Sequence, residues 1–227
     1  MARNLDIIKQ AIGPVLEGMV KVTIPLAVLS CLIGLILAFL LILMRYSGKK
    51  VLVFIANALV WTIRGLPLLV SLYFLFYGLA EIDILLSPWM TSLIAFSLFE
   101  AAFMSEAIRG ALMALDVGQW EAGLSLGMDK YKVFRKIIIP QVIPPVLPTL
   151  LGYFISALKL TSLVSSIGLS DMMLKGKQFI DYYYAPFTIY LLLAVLYLVL
   201  FAFLSFLQNW LSKRFSTMND DHLVRFM

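Results

Sequence analysis

The sequence predicts an all-α integral membrane protein: about five transmembrane helices, an N-terminal interfacial helix, and short helices in one polar loop. Three observations carry that reading. The 227 residues are 62% hydrophobic with a mean hydropathy of +0.97, too apolar for a soluble domain of this size. The apolar residues come in runs long enough to cross a bilayer. Lys and Arg gather between those runs, mostly in alternate loops. No internal repeat or low-complexity segment divides the chain, so one transmembrane domain over 1–227 is expected.

Residues 1–21 are amphipathic. Leu5, Ile8, Ile12, Val15 and Leu16 recur at helical spacing, which suits a helix lying along the interface. The first span is 22–44, followed by Arg45, Lys49 and Lys50. The second, 51–79, is interrupted by Arg64-Gly65-Leu66-Pro67, where a kink is expected. A loop over 80–87 carries Glu81 and Asp83, and the third span is 88–111. Pro144, Pro145 and Pro148 predict a broken entry to the fourth span, 147–167. An amphipathic connector with Lys175 and Lys177 precedes the fifth span, 186–211. At about 1.5 Å per residue each span covers about 30 Å, enough to cross. With the N-terminus outside, the loops at 45–50 and 109–136 and the tail with Lys213, Arg214 and Arg225 face the cytoplasm. Arg3, Lys9, Lys21, Lys175 and Lys177 stay outside.

Several function classes drop out. A net charge of +5 without arginine–aromatic interleaving does not suggest nucleic acid. Cys31, the sole cysteine, excludes a disulfide framework and zinc clusters. His222, the sole histidine, excludes a His-based metal or catalytic site, so no metal is expected. There is no Gly-rich phosphate loop, no Ser-His-Asp set and no paired carboxylates at useful spacing. By itself the chain is expected not to be an enzyme.

The most polar internal stretch is 119–141. It reads as a helix over 121–126, a left-handed stop at Gly127, and a second helix from Lys130 capped by Asp129. Tyr131, Phe134 and Ile138 share one face of that helix, Lys130, Lys132, Arg135 and Lys136 take the others, and Pro140 is expected to end it. Amphipathicity alone fits either a docking knob for a soluble partner or a basic loop on anionic headgroups. Glu121-Ala122-Gly123, three residues, Gly127, nine residues, then Ile137-Ile138-Ile139-Pro140 resembles the "EAA" signature of ABC importer permease subunits. Gly123 stands where that pattern has Ala, and Ile139 where it has Leu. The resemblance implies a coupling helix that enters a groove on the ATP-binding subunit. Glu121, Ala122, Gly123 and Gly127 would be docking positions, with Tyr131 and Phe134 beside them.

Ionisable groups inside a membrane usually face a cavity or a partner. The segment from Thr62 to Val70, with Arg64-Gly65-Leu66-Pro67-Leu68-Leu69, resembles an Arg-Gly-Thr-Pro-Leu-Leu segment of polar amino-acid uptake permeases. Arg64, Leu68 and Ser71 would share a helix face along the substrate path; the alternative is a kinked helix whose arginine pairs with a carboxylate or a phospholipid. Glu106-Ala107-Ile108-Arg109-Gly110 resembles that family's Glu-x-x-Arg-Gly, and Glu106, Arg109 and Pro67 are assigned gate or structural roles. Lys159-Leu160-Thr161-Ser162-Leu163 resembles its Lys-Asp-Thr-Ser-Leu. An acid is missing at 160 and one is present at 100. Glu100, with Ser97 and Met104 on its face, is therefore expected to meet the substrate ammonium in the central cavity, beside Lys159, Thr161 and Ser162. The alternative is a buried Glu100 paired with Lys159 or Arg64.

The resemblance spans about 23–213 and implies a type I ABC importer permease fold in a bacterial cell membrane, with the C-terminus cytoplasmic. It implies a second permease copy or related permease, a cytoplasmic ATPase dimer that holds ATP and Mg, and an extracytoplasmic binding protein. No cofactor is expected on this chain. The cargo would be a polar amino acid; Leu66, Phe99 and Leu160 point to a less charged or larger one, such as cystine. The alternative is an ion-gradient-driven secondary transporter, which usually shows an internal repeat.

Overall fold

The computed structural model describes the backbone of residues 2–224 and the side chains of residues 3–213. Arg214, His222 and Arg225 have side chains outside that range. Among the described residues all regular structure is helical. Four helices are long and apolar enough to cross a membrane, and a sharply bent pair makes a fifth crossing if counted as one.

The chain begins with α1, Ala2–Gly18, a π turn at Met19–Thr23, and α2, Ile24–Arg45. These run on as one 43-residue helix, Arg3–Arg45. The expected N-terminal helix is present as α1 and joins the first span without a break. Of the expected stripe, Leu5 and Ile12 are exposed, whereas Val15 turns inward and, with Ile7 and Ala11, packs on Met172, Ile189, Leu192 and Leu193. The π turn explains the continuity. Pro25 has no N–H and would crowd the carbonyl four residues back; the ladder widens just before it, and the Ile24 amide bonds Met19 O instead.

The expected kink in the second span is a corner. α3, Lys50–Gly65, meets a second helical piece, Leu68–Ile82, at 104°. That piece opens with α4, Leu68–Tyr73. Leu66 and Pro67 are extended between them, so Arg64 and Ser71 lie on different helices and do not form the expected line. α5, Pro88–Met113, starts on a Ser87 cap whose Oγ accepts from the Met90 amide at 3.3 Å. It packs extensively on α2.

The short helices α6, Gly118–Ser125, and α7, Lys130–Val133, follow. Then Pro140 fails to stop the chain. A second π turn, Phe134–Ile138, again sits just ahead of the proline, the Ile139 amide bonds Phe134 O, and α8 runs unbroken over Ile139–Leu160. The broken entry at Pro144, Pro145 and Pro148 is likewise absent. Their fixed φ suits a helix, and neighbours bond this stretch: Gln208 Nε2 donates to Pro148 O at 2.8 Å. A 3₁₀ segment, Thr161–Ile167, leads to α9, Met172–Tyr183, and α10, Pro186–Val224.

Candidate functional site

The α6–α7 segment forms a knob with its own small core. Gly127 takes φ +77°, and its amide reaches Leu124 O at 2.9 Å, closing α6 in the left-handed way glycine favours. Asp129 caps α7, Oδ1 accepting from the Lys132 amide at 2.9 Å. That bond, with the Lys132 ammonium at 3.2 Å, holds the Asp129 carboxyl below the usual carboxylate range. Val133, Ile138 and Val142 are buried, with Trp120, Met128 and Phe134 packed on them. The Trp120 and Phe134 rings stack with centroids 6.3 Å apart.

Two residues expected at the docking surface face inward instead. Gly123 is buried where the two legs cross; a Cβ there would lie 2.7 Å from Val133 Cγ2 and 2.9 Å from Ile137 Cδ1. Its role is close approach, which also explains why Gly replaces Ala at this position. Phe134 is half-buried against Trp120. Glu121, Ala122, Gly127 and Tyr131 are exposed, and Leu124 and Leu126, the latter 81% exposed, join them. The outer face of the knob thus sets two exposed leucines beside an acid.

A second feature lies at one end of the spans. Glu106 on α5 is the hub of three arginines from three helices. Arg45, at the end of α2, bonds it closely. Arg109 Nη2 bonds Oε2 at 2.8 Å, and Arg64 Nη1 on α3 stands 3.5 Å from the same oxygen. Arg64 also lies 5.4 Å over the Phe103 ring. Glu106 and the three arginines line a cleft of about 770 Å³ with Phe54, Asn57 and Trp61. The alternative reading of Arg64, pairing with a carboxylate, is what occurs. Arg45 is expected only as a loop cation; its position directly after a span end is the signal the sequence offers.

The remaining expected path residues are not brought together. Glu100 is 1% exposed and lies in the α2–α5 contact, not in a cavity: a Cβ on Gly34 would sit 2.7 Å from Glu100 Cβ. Ser97 and Met104 are buried on the same face. No ion pair to Glu100 occurs among the described residues, so its pairing with Lys159 or Arg64 is also absent, and Oε2 has no partner. Lys159 is on another face, 5.1 Å over the Phe201 ring. Thr161 and Ser162 give their hydroxyl protons to Leu158 O and Lys159 O of their own chain turn, at 2.7 and 3.0 Å. Ser71 sits beyond the Pro67 corner.

The sequence reading also passed over Asp171, a fully buried N-cap of α9. Oδ1 accepts from the Leu174 amide at 2.8 Å, and Oδ2 is unpartnered. Burial pushes its carboxyl up to about 6. A carboxyl raised by folding binds more protons folded than unfolded, so stability falls as pH rises between about 4 and 6. The expected loss is about 3 kcal/mol at most. Thermal unfolding in detergent at stepped pH should show this slope, and Asp171→Asn, which still caps, should flatten it.

Comparison with known proteins accounts for this geometry. Residues 30–217 match the family model described as "Binding-protein-dependent transport system inner membrane component". The L-cystine transport system permease protein TcyB of Bacillus subtilis is 35% identical over 213 residues, covering 92% of this chain and 90% of that one. The arginine ABC transporter permease protein ArtQ of Escherichia coli is 32% identical, covering 85% and 89%. A crystal structure of an amino acid ABC transporter with histidines superposes with a TM-score of 0.88 at 31% identity, over 92% of this chain and 97% of that one. The MetNI methionine ABC transporter shares the fold at a TM-score of 0.67 and 17% identity, over 93% and 97%. With a family match over residues 30–217 and relatives above 30% identity along most of its length, the chain belongs to the inner membrane components of binding-protein-dependent transport systems, the permease subunits of ABC importers.

Proposed function

We propose that the chain is the non-catalytic translocation subunit of an ATP-driven importer of amino acids, coupled to a cytoplasmic ATPase through the α6–α7 knob. The observation that carries the coupling is the knob itself: a rigid, internally packed two-helix unit with Glu121, Leu124 and Leu126 turned outward. A binding protein delivers substrate on the opposite side. ATP and Mg belong to the ATPase subunit. When two ATPases close on nucleotide they draw two knobs together, and because α7 runs through its π turn into α8 without a break, the pull reaches a span directly. Cargo biases this switch only through unequal affinity for its states.

The N-terminus outside and the knob inside is the orientation that Lys and Arg favour. Relatives named for cystine and arginine support an amino-acid cargo. The test is ATP-dependent uptake in vesicles holding the permease, its ATPase and its binding protein, across an amino-acid panel that includes cystine and arginine. Uptake of at least one amino acid, absent without ATP, is expected. Uptake driven by an ion gradient without ATP contradicts the proposal.

A further inference from the structure

We propose that the cleft between α3 and the adjoining ends of α2 and α5 binds the carboxylate of the amino acid in passage. This rests on the translocation reading above. The charge of the cleft favours an anion. Glu106 is the one acid among the lining residues, against Arg45, Arg64 and Arg109. Its oxygens are already engaged by Arg45 and Arg109, and Arg64 stands 3.5 Å away. Two positive charges are therefore uncompensated beside apolar walls, Val53, Phe54 and Trp61 among them. Such walls strengthen the pull on an anion relative to water.

The cleft's donors suit a carboxylate. Arg45 Nε is buried and unpartnered, and the Arg64 side chain is 45% exposed. Guanidinium forks match a carboxylate in plane and spacing, and their charge-assisted bonds are the strong ones. The face that α3 turns to the cleft is partly polar. Phe54, Asn57, Ala58, Trp61 and Arg64 recur at helical spacing and are all exposed. Lipid would solvate the asparagine and arginine poorly, whereas a cleft of about 770 Å³ has room for an amino acid. An anionic lipid phosphate would feel the same charges, so the test must part the two.

The importer with its ATPase is held in phosphatidylcholine nanodiscs, and Trp61 in the cleft wall reports occupancy by fluorescence quenching, with Trp61→Phe as the blank. L-cystine and L-arginine are titrated against their methyl esters, which lack the carboxylate charge. Saturable quenching by at least one of these amino acids is expected. Its ester and the Arg64→Gln variant should each bind about tenfold or more weakly, the loss of one charge-assisted bond. Arg64→Lys should fall between, since it keeps the charge and loses the fork. No saturable quenching, equal binding of acid and ester, or unchanged binding in Arg64→Gln overturns the assignment. Part of the phosphatidylcholine is then exchanged for phosphatidylglycerol. If that lipid alone removes the amino-acid signal, the occupant is a headgroup and the assignment also fails. ATP-driven uptake by the unaltered importer is measured in parallel. Intact uptake without discrimination sinks the cleft alone; no uptake of any amino acid sinks the translocation reading.

Discussion

Glu106→Gln is expected to destabilise the chain by about 3 kcal/mol, the largest stability effect of any polar substitution in the spans. The reason is the asymmetry between making and breaking a charge cluster. Burying Arg45, at 10% side-chain exposure, and Glu106, at 17%, costs desolvation that their attraction only offsets. Removing the one acid leaves Arg45, Arg64 and Arg109 facing each other with nothing between them. A glutamine accepts one bond and carries no charge. Thermal unfolding of the purified complex in detergent measures the effect, and Glu106→Gln combined with Arg45→Gln should recover part of it, because one unpaired cation is gone. An unfolding midpoint for Glu106→Gln equal to that of the unaltered chain would show that the three arginines do not depend on Glu106.

Glu121→Arg is expected to abolish ATP-driven uptake while leaving stability within about 0.5 kcal/mol. Glu121 is exposed in the first turn of α6, where its charge also suits the helix dipole. A charge reversal at a contact surface juxtaposes like with like and costs several kcal/mol of association. Co-purification of the ATPase should therefore fall about a hundredfold or more. Retention of the ATPase at its usual yield would remove Glu121 from the docking surface.

The pattern of apolar runs and basic loops was enough to predict the helical membrane fold, because a bilayer leaves few alternatives for an apolar backbone. The EAA-like stretch was legible for a similar reason: Gly127 and Asp129 act through local chemistry, and their neighbours in sequence are their neighbours in space. The misreadings share a cause. Pro140 is expected to end its helix, yet a π turn one step ahead absorbs it, as another does ahead of Pro25, and nothing in the residue pattern reveals that a helix will widen rather than end. Glu100 was assigned a cavity because an acid in a span normally needs one; its burial against Gly34 depends on which faces of α2 and α5 meet. Arg45 and Glu106 are 61 residues apart, and only the fold brings them together. Gly123 shows the converse: a departure from a pattern that looks mild in sequence turns out to be a packing requirement.

The α6–α7 knob is proposed to be a cytoplasmic lever held by an ATPase. Its most direct test is sidedness. Cys31 is buried and can be replaced by serine, and Leu126, at 81% exposure, replaced by cysteine as the sole thiol. A membrane-impermeant maleimide should label Leu126→Cys in inverted vesicles and not in intact cells, and added ATPase should protect it. Labelling in intact cells would put the knob on the outer face, away from any nucleotide-driven partner, and would contradict the account.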